Sequence, residues 1–222
     1  MTENRAAKVL QILRQTLALP KMLKSKRDPF ETLVVTIISQ NTADRNTDRA
    51  FETLSKRFEI SPEALAKAET SQIEEAIKTA GLYKSKAKAI KCAAKAINEK
   101  YHGTLQPILS LPLEDARAAL MQFPGVGPKT ADVVLLFSAQ QPTIPVDTHV
   151  YRVAKRLGFA PEKGGYEAVR GSLQALFDPA DYLAVHLLLI EHGRKTCKAQ
   201  RPLCKQCLVN AYCPSNGKWD KP

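Results

Sequence analysis

The chain has 222 residues, enough to bury one sizeable core or two smaller ones. Its 33 Lys and Arg against 22 Asp and Glu give a formal net charge of +11, which favours a polyanionic partner such as nucleic acid. No apolar run approaches the roughly 18 residues of a membrane span, and the start MTENRAAK does not resemble a signal peptide. These features disfavour membrane and secreted classes, and we expect a cytoplasmic protein.

Apolar residues recur with helical spacing along the chain, and no alternating strand pattern appears, so the sequence predicts an all-α fold. A first amphipathic helix around Val9–Leu17 is expected to end near Pro20, before a basic connector at 21–27. The run Asp28-Pro29-Phe30-Glu31 combines an N-cap, a proline at the first helical position and a capping-box glutamate. It predicts the start of an apolar, central helix that ends at the polar Gln40-Asn41-Thr42. Another helix is expected at about 43–58.

Two short helices are then expected to start at Ser61-Pro62 and at Ser71 with Glu74, the second closed by Gly81 as a C-cap. Leu82 comes next, an apolar residue beside an aromatic residue and Lys84, ahead of a helix that runs to about residue 101. Leu82 has two interpretations. It either folds back onto its own helix cap, or acts as an apolar wedge that inserts into a base stack.

The segment Pro124-Gly125-Val126-Gly127-Pro128 predicts a tight hairpin between a helix at about 113–122 and a second, apolar helix. Both glycines permit positive φ, and Pro128 suits the first helical position. Backbone N–H groups of such a hairpin form a site for a DNA phosphate, whereas the alternative is a plain packing corner.

Lys129 is therefore predicted in the first turn of the second hairpin helix. The helix dipole disfavours a cation at this end, and partial burial acts in the same direction, so both favour the neutral amine. A neutral amine is a nucleophile that can form a Schiff base. The alternative is a lysine that contacts a phosphate.

Asp147, in the sequence PTIPVDTHV, precedes a helix expected at about 148–157. It is predicted to cap that helix, and its carboxylate is also suited to stabilise positive charge on a sugar ring. The two roles are compatible because a cap fixes the position of the carboxylate. Further helices are expected at about 166–177 and 182–192.

Four of the five cysteines fall within 17 residues at the spacing C-x6-C-x2-C-x5-C, as Cys197, Cys204, Cys207 and Cys213. Such a compact loop favours a [4Fe–4S] cluster, with zinc as the alternative. The loop also carries cations suited to phosphates, among them Lys198 and Arg201. Cys92 stands apart on a helix, and we interpret it as an inert core residue.

The FPGVGPKTA hairpin, the VDTH aspartate and the cysteine loop together resemble the endonuclease III family of helix-hairpin-helix DNA glycosylases. The resemblance covers essentially the whole chain. It implies a two-domain, all-α fold: a six-helix barrel at 25–139, with its helix-hairpin-helix at about 113–139, and a cluster domain formed by 1–24 and 140–222, with the cluster loop at 197–213. It also implies that Lys129 and Asp147 face each other across the domain cleft.

By resemblance, Lys129 is the nucleophile at the sugar C1′ and Asp147 supports this step. Leu82 matches the family's wedge. Asn41 takes the position of the residue that plugs the duplex, with Gln40 just before it, which is a departure from the family pattern.

The implied function is a monomeric, nucleoid-associated glycosylase and AP lyase, with a [4Fe–4S] cluster, that removes oxidised or ring-saturated pyrimidines from duplex DNA and nicks abasic sites. Two alternatives stay open. One is a glycosylase for mismatched or oxidised purine bases, and the other is a non-catalytic DNA-binding module.

Overall fold

The computed structural model describes residues 2–18 and 27–218. Within these ranges the chain forms α-helices and short 3-10 helices, with no β-strand, which confirms the all-α prediction. The α-helices are α1 (Thr2–Thr16), α2 (Pro29–Ser39), α3 (Asp44–Arg57), α4 (Pro62–Lys67), α5 (Thr70–Ala76), α6 (Tyr83–Tyr101), α7 (Gln106–Leu109), α8 (Leu113–Met121), α9 (Pro128–Ala139), α10 (Thr148–Arg156), α11 (Tyr166–Leu176) and α12 (Tyr182–Lys195). The 3-10 helices are Lys78–Ala80, Pro179–Asp181, Cys204–Gln206 and Asn210–Tyr212.

Two of the predicted helix starts are confirmed by their cap hydrogen bonds. The Asp28 carboxylate accepts from the Phe30 amide at 2.8 Å and from the Glu31 amide at 3.4 Å at the start of α2. The Ser61 hydroxyl accepts from the Ala64 amide at 3.2 Å at the start of α4. These bonds satisfy amides that have no partner within the helix.

Other predicted boundaries need correction. Helix α5 starts at Thr70 rather than Ser71, because Glu69 and Gln72 form the capping box, with the Glu69 amide donating to Gln72 Oε1 at 3.3 Å. Gly81 closes the 3-10 turn Lys78–Ala80 rather than α5 itself, at a φ of +64°. The predicted end of the first helix near residue 20 and the connector at 21–26 lie outside the described residues.

The chain divides into two compact units, Met1–Ser25 with Pro142–Pro222, and Lys26–Gln141. The core of the second unit is built around α2, which packs against α3, α6 and α9. Leu33, Val34, Ile37 and Ile38 of α2 are all fully buried. The apolar composition of α2 thus reflects burial on most of its faces, as the sequence predicted.

In the first unit, α12 packs against α1 and α10, and α11 packs against α1 and α10. Arg5 of α1 donates to the Tyr212 carbonyl and to the Gly158 carbonyl, both at 3.2 Å. The first bond attaches α1 to the C-terminal loop, 207 residues further along the chain, and the second attaches it to the turn that follows α10.

No single helix in the described part of the chain is long and apolar enough to cross a membrane. Two consecutive segments reach the length and apolar composition of a membrane span only when taken together, Tyr166–Leu176 and Pro179–Lys195. The chain bends by 115° between them.

Candidate active site

The hairpin between α8 and α9 is fixed by a close approach to α6. Gly125 has a φ of +80°, and a Cβ at this position would lie 2.9 Å from the Cβ of Ala89. Glycine is required here for both reasons. Gly127, by contrast, is extended at φ −97° and ψ 179° as the N-cap of α9, so only the first of the two glycines uses the left-handed region. Val126 is buried, and its amide donates to the Phe123 carbonyl at 3.0 Å.

Lys129 is the second residue of α9 and is half-buried, which confirms its predicted place in the first turn behind the hairpin. One turn further along, Asp132 is fully buried and accepts from Arg117 Nε of α8 at 2.8 Å. Arg117 Nη1 also donates to Glu114 at 2.7 Å. This buried ion pair braces the two helices that carry the hairpin. The sequence did not reveal it, because the partners are 15 residues apart and Asp132 lies in an otherwise apolar run.

Gln40 and Asn41, the two candidates for the duplex plug, have different surroundings. Gln40 Nε2 donates to the Gly125 carbonyl at 2.9 Å and to Thr130 Oγ1 at 3.2 Å, so this side chain is bound to the hairpin. Asn41 is exposed and has a φ of +51°. Gln40 is thus hydrogen-bonded to the hairpin, whereas Asn41 is open to solvent.

Leu82 presents its side chain to solvent, with 64% of the residue exposed and a φ of +46°. The interpretation that it folds back on its own helix cap is wrong, because such a contact would bury it. Lys84, two residues later on α6, is also exposed. An exposed leucine in a left-handed conformation at the tip of a turn suits a residue that is buried only when a partner is bound.

Asp147 caps α10 as predicted, and its Oδ1 accepts from the Val150 amide at 2.7 Å. The connector before it is also held. The Val146 amide donates to the Tyr166 hydroxyl at 3.3 Å, and His186 Nδ1 donates to the Pro145 carbonyl at 2.8 Å. These long-range hydrogen bonds fix the backbone of the two residues that precede Asp147. Lys129 lies in the unit at 26–141, and Asp147 lies in the other unit.

All four clustered cysteines line one pocket with about 390 Å³ of empty space, its open mouth included. Burial raises the pKa of the Cys207 and Cys213 thiols, and it lowers the pKa of His192, which lies 3.8 Å from Cys207 Sγ, to about 4. Bound metal would supply the positive charge that stabilises thiolates in such a site. Cys92 is half-buried on α6, outside this pocket, rather than in the core.

Within residues 2–18 and 27–218, no three His, Cys, Asp or Glu side chains are arranged to hold one metal ion. One zinc ion would require its thiolates to converge at about 2.3 Å from a single point. A four-iron cluster binds each thiolate at a different corner, so its ligands line a wider cavity. The four thiols that line this pocket are a donor set that both groups use.

Two arginines of α10 hold the main chain of the cysteine loop. Arg152 Nε donates to the Cys197 carbonyl at 3.0 Å, and Arg156 Nη1 donates to the Lys198 carbonyl at 2.6 Å. Arg156 Nη1 also lies 3.4 Å from Cys197 Sγ. The sequence pattern did not identify these arginines, because they lie more than 40 residues from the loop. Lys198 and Arg201, the predicted phosphate contacts, are both exposed.

Comparison with known proteins places the chain in a family. The model of the HhH-GPD superfamily of base excision DNA repair proteins matches residues 34–179. Endonuclease III of Sulfolobus acidocaldarius is 39% identical over 188 residues, which are 84% of this chain and 82% of that protein. The chain belongs to the endonuclease III family. The resemblance seen in the sequence is therefore confirmed.

Endonuclease III of Escherichia coli strain K12 is 34% identical over 223 residues, covering 99% of this chain and 100% of that protein. A solved structure of a trapped covalent intermediate between endonuclease III and DNA, an estranged-adenine complex, superposes with a TM-score of 0.86 at 29% identity. It covers 98% of both chains. The likeness to endonuclease III thus covers at least 98% of this chain.

Proposed function

We propose that this protein is a bifunctional DNA glycosylase and AP lyase of base excision repair. It acts as a monomer on duplex DNA that contains damaged bases or abasic sites. Family membership supports the activity, and the matching structure of endonuclease III bound covalently to DNA supports the partner. The observation that carries the proposal is Lys129 in the first turn of α9, directly behind the hairpin. Oxidised or ring-saturated pyrimidines are the proposed substrates, and the cytoplasm, at the nucleoid, is the proposed location.

In the proposed reaction, the damaged nucleotide is flipped out of the duplex and the neutral amine of Lys129 attacks the sugar C1′. The C1′–N bond to the base breaks, and the base leaves with its electron pair and takes up a proton. Ring opening gives an imine between Lys129 Nζ and C1′. Loss of a C2′ proton then expels the 3′ phosphate by β-elimination, which nicks the strand 3′ to the lesion.

Asp147 is proposed to stabilise the positive charge that develops on the sugar as the base departs. Its Oδ1 is held by the Val150 amide, so the carboxylate does not need to be ordered when substrate binds.

The proposed DNA contacts are distributed over several elements. The hairpin backbone at Gly125, Val126 and Gly127 binds a phosphate, with Lys84 as a further cation near the wedge. Asn41 and Leu82 enter the duplex as plug and wedge. Exposure of both side chains in left-handed turns supports this assignment.

We further propose that Cys197, Cys204, Cys207 and Cys213 hold a [4Fe–4S] cluster, a group that supplies four thiolate-bound irons as a structural centre. The shared pocket supports this assignment. The loop at 197–213 then presents Lys198 and Arg201 to phosphates. We assign the unit at 26–141 to the barrel domain and the other unit to the cluster domain, close to the ranges 25–139 and 1–24 with 140–222 expected from the sequence.

Borohydride trapping tests the assignment of Lys129. The reductant converts the imine into a stable amine, so wild-type protein that is turning over should become fixed to lesion-containing DNA. Lys129→Gln should abolish both trapping and nicking but leave duplex affinity near that of wild type, since the hairpin amides and the other cations remain. Lys84→Gln is the matched control. It removes an exposed amine near the wedge and should still trap.

Trapping by Lys129→Gln would show that another amine is the nucleophile. Base release by wild-type protein without any trapping would make water the nucleophile and Lys129 a phosphate contact. A panel of duplexes that carry oxidised pyrimidines, oxidised purines or mismatches measures the substrate range. Preference for a purine lesion would replace the pyrimidine assignment.

A further inference from the structure

The second unit contains a buried lysine that the proposed chemistry does not use. Lys86 of α6 is only 3% exposed. Its Nζ donates to the Ile38 carbonyl at 2.8 Å, to Thr42 Oγ1 at 2.7 Å and to the Ala80 carbonyl at 2.9 Å. An ammonium group has three N–H donors, and all three are used here.

The three acceptors belong to the two turns that carry the proposed plug and wedge. Ile38 lies in the last turn of α2, just before Asn41, and Thr42 follows Asn41 directly. Ala80 ends the 3-10 turn that leads into Leu82. The Thr42 hydroxyl also donates to the Ala80 carbonyl, so the two turns are hydrogen-bonded to each other as well as to Lys86.

Both turns hold a residue in an uncommon backbone conformation. Asn41 has a φ of +51° and Leu82 a φ of +46°. Both values lie in the left-handed region, which residues other than glycine rarely adopt. Such conformations persist when surrounding contacts determine them. The bonds from Lys86 fix main-chain or side-chain atoms within three residues of each of them.

We propose that Lys86 is a positioning residue that holds both turns in one preformed arrangement, so that Asn41 and Leu82 enter the duplex together. The inference rests on the proposed function, which assigns plug and wedge roles to these two residues. The preformed arrangement favours DNA binding, because turns that are already ordered lose less conformational entropy when they bind. A well-paired base must be unstacked before it reacts, whereas an abasic site requires little unstacking. Loss of Lys86 should therefore slow base excision from a paired lesion more than it slows nicking of an abasic site.

The test compares two single-turnover rates for each variant, base excision from a paired lesion and nicking of a preformed abasic site. Lys86→Met keeps the length of the side chain and removes its donors. We expect the excision rate to fall at least about tenfold more than the nicking rate. Lys91→Met is the matched control. Lys91 lies on the same helix and donates to the Ala68 carbonyl at 2.6 Å, away from both turns, so its loss should leave the ratio unchanged.

A second measurement detects insertion without chemistry. Fluorescence of a 2-aminopurine placed opposite the lesion should rise when wild-type protein or Lys91→Met binds, and less when Lys86→Met binds. If Lys86 acts through the wedge, adding Lys86→Met to Leu82→Ala should change the rate ratio little beyond the effect of Leu82→Ala alone. Thr42→Val removes only the hydroxyl between the turns, and it serves if Lys86→Met does not fold.

Equal losses of both rates in folded Lys86→Met, with an undiminished fluorescence response, would overturn the proposal and leave Lys86 a purely structural residue. An equal change in the ratio of the excision rate to the nicking rate in Lys91→Met would also overturn the proposal. Wild-type protein without either activity would contradict the proposed function instead. The fluorescence response, which requires no reaction, would still decide the role of Lys86.

Discussion

At the residue scale, Asp147 combines two roles in one carboxylate, and an amide substitution separates them. Asparagine caps helices about as well as aspartate, so Asp147→Asn should keep the bond to the Val150 amide while removing the negative charge. We expect the single-turnover excision rate to fall about 10²–10⁴-fold, with DNA affinity and thermal stability close to wild type.

Asp147→Ala is the comparison that removes the cap as well. It should lose rate to a similar extent and also lose about 1 kcal/mol of unfolding free energy, measured by denaturant titration. An Asp147→Asn protein with the full excision rate would reduce Asp147 to a helix cap.

At the element scale, the cysteine loop is expected to fold around its cluster. Purified protein should be brown, with broad visible absorption and about four irons per chain. Cys204→Ser should lower the iron content and reduce the unfolding temperature by roughly 5 °C or more, because cluster binding is coupled to ordering of the loop. Cys92→Ser makes the same chemical change outside the pocket and should retain both iron and stability. A colourless protein with one zinc per chain would contradict the assignment.

Much of each element could be predicted from local sequence. Caps such as Asp28 and Ser61, the turn residues around Gly125 and the helical spacing of apolar residues depend on neighbours only a few positions away. The short α7 and the 3-10 turns were missed, because four residues or fewer give no periodicity. The contacts of Lys86 and Arg156 were also missed, since hydrogen bonds across 40 or more residues leave no local pattern. The sequence therefore predicted candidates for the reacting groups, but not the buried and long-range contacts that fix the turns and loops around them.

At the scale of the whole molecule, the net charge of +11 predicts binding to undamaged duplex that weakens steeply with salt. Lys198→Ala and Arg201→Ala should each reduce the slope of log affinity against log salt by up to ~1 if each contacts a phosphate. The slope is measured by fluorescence anisotropy across a salt series. Lys56→Ala controls for net charge, since Lys56 is exposed on α3 and paired with Glu52 at 2.7 Å. A slope change of equal size in all three variants would mean that only total charge matters.

The contact between Gly125 and Ala89 limits how related sequences can vary. A Cβ at position 125 would lie too close to the Cβ of Ala89, so any side chain at 125 would collide with α6. Shrinking residue 89 to glycine would relieve the collision but not the left-handed backbone at 125. Position 125 therefore requires glycine whichever residue occupies position 89, 36 residues away. Related sequences that keep this hairpin are therefore expected to keep glycine at its left-handed position, even where the facing residue of α6 changes.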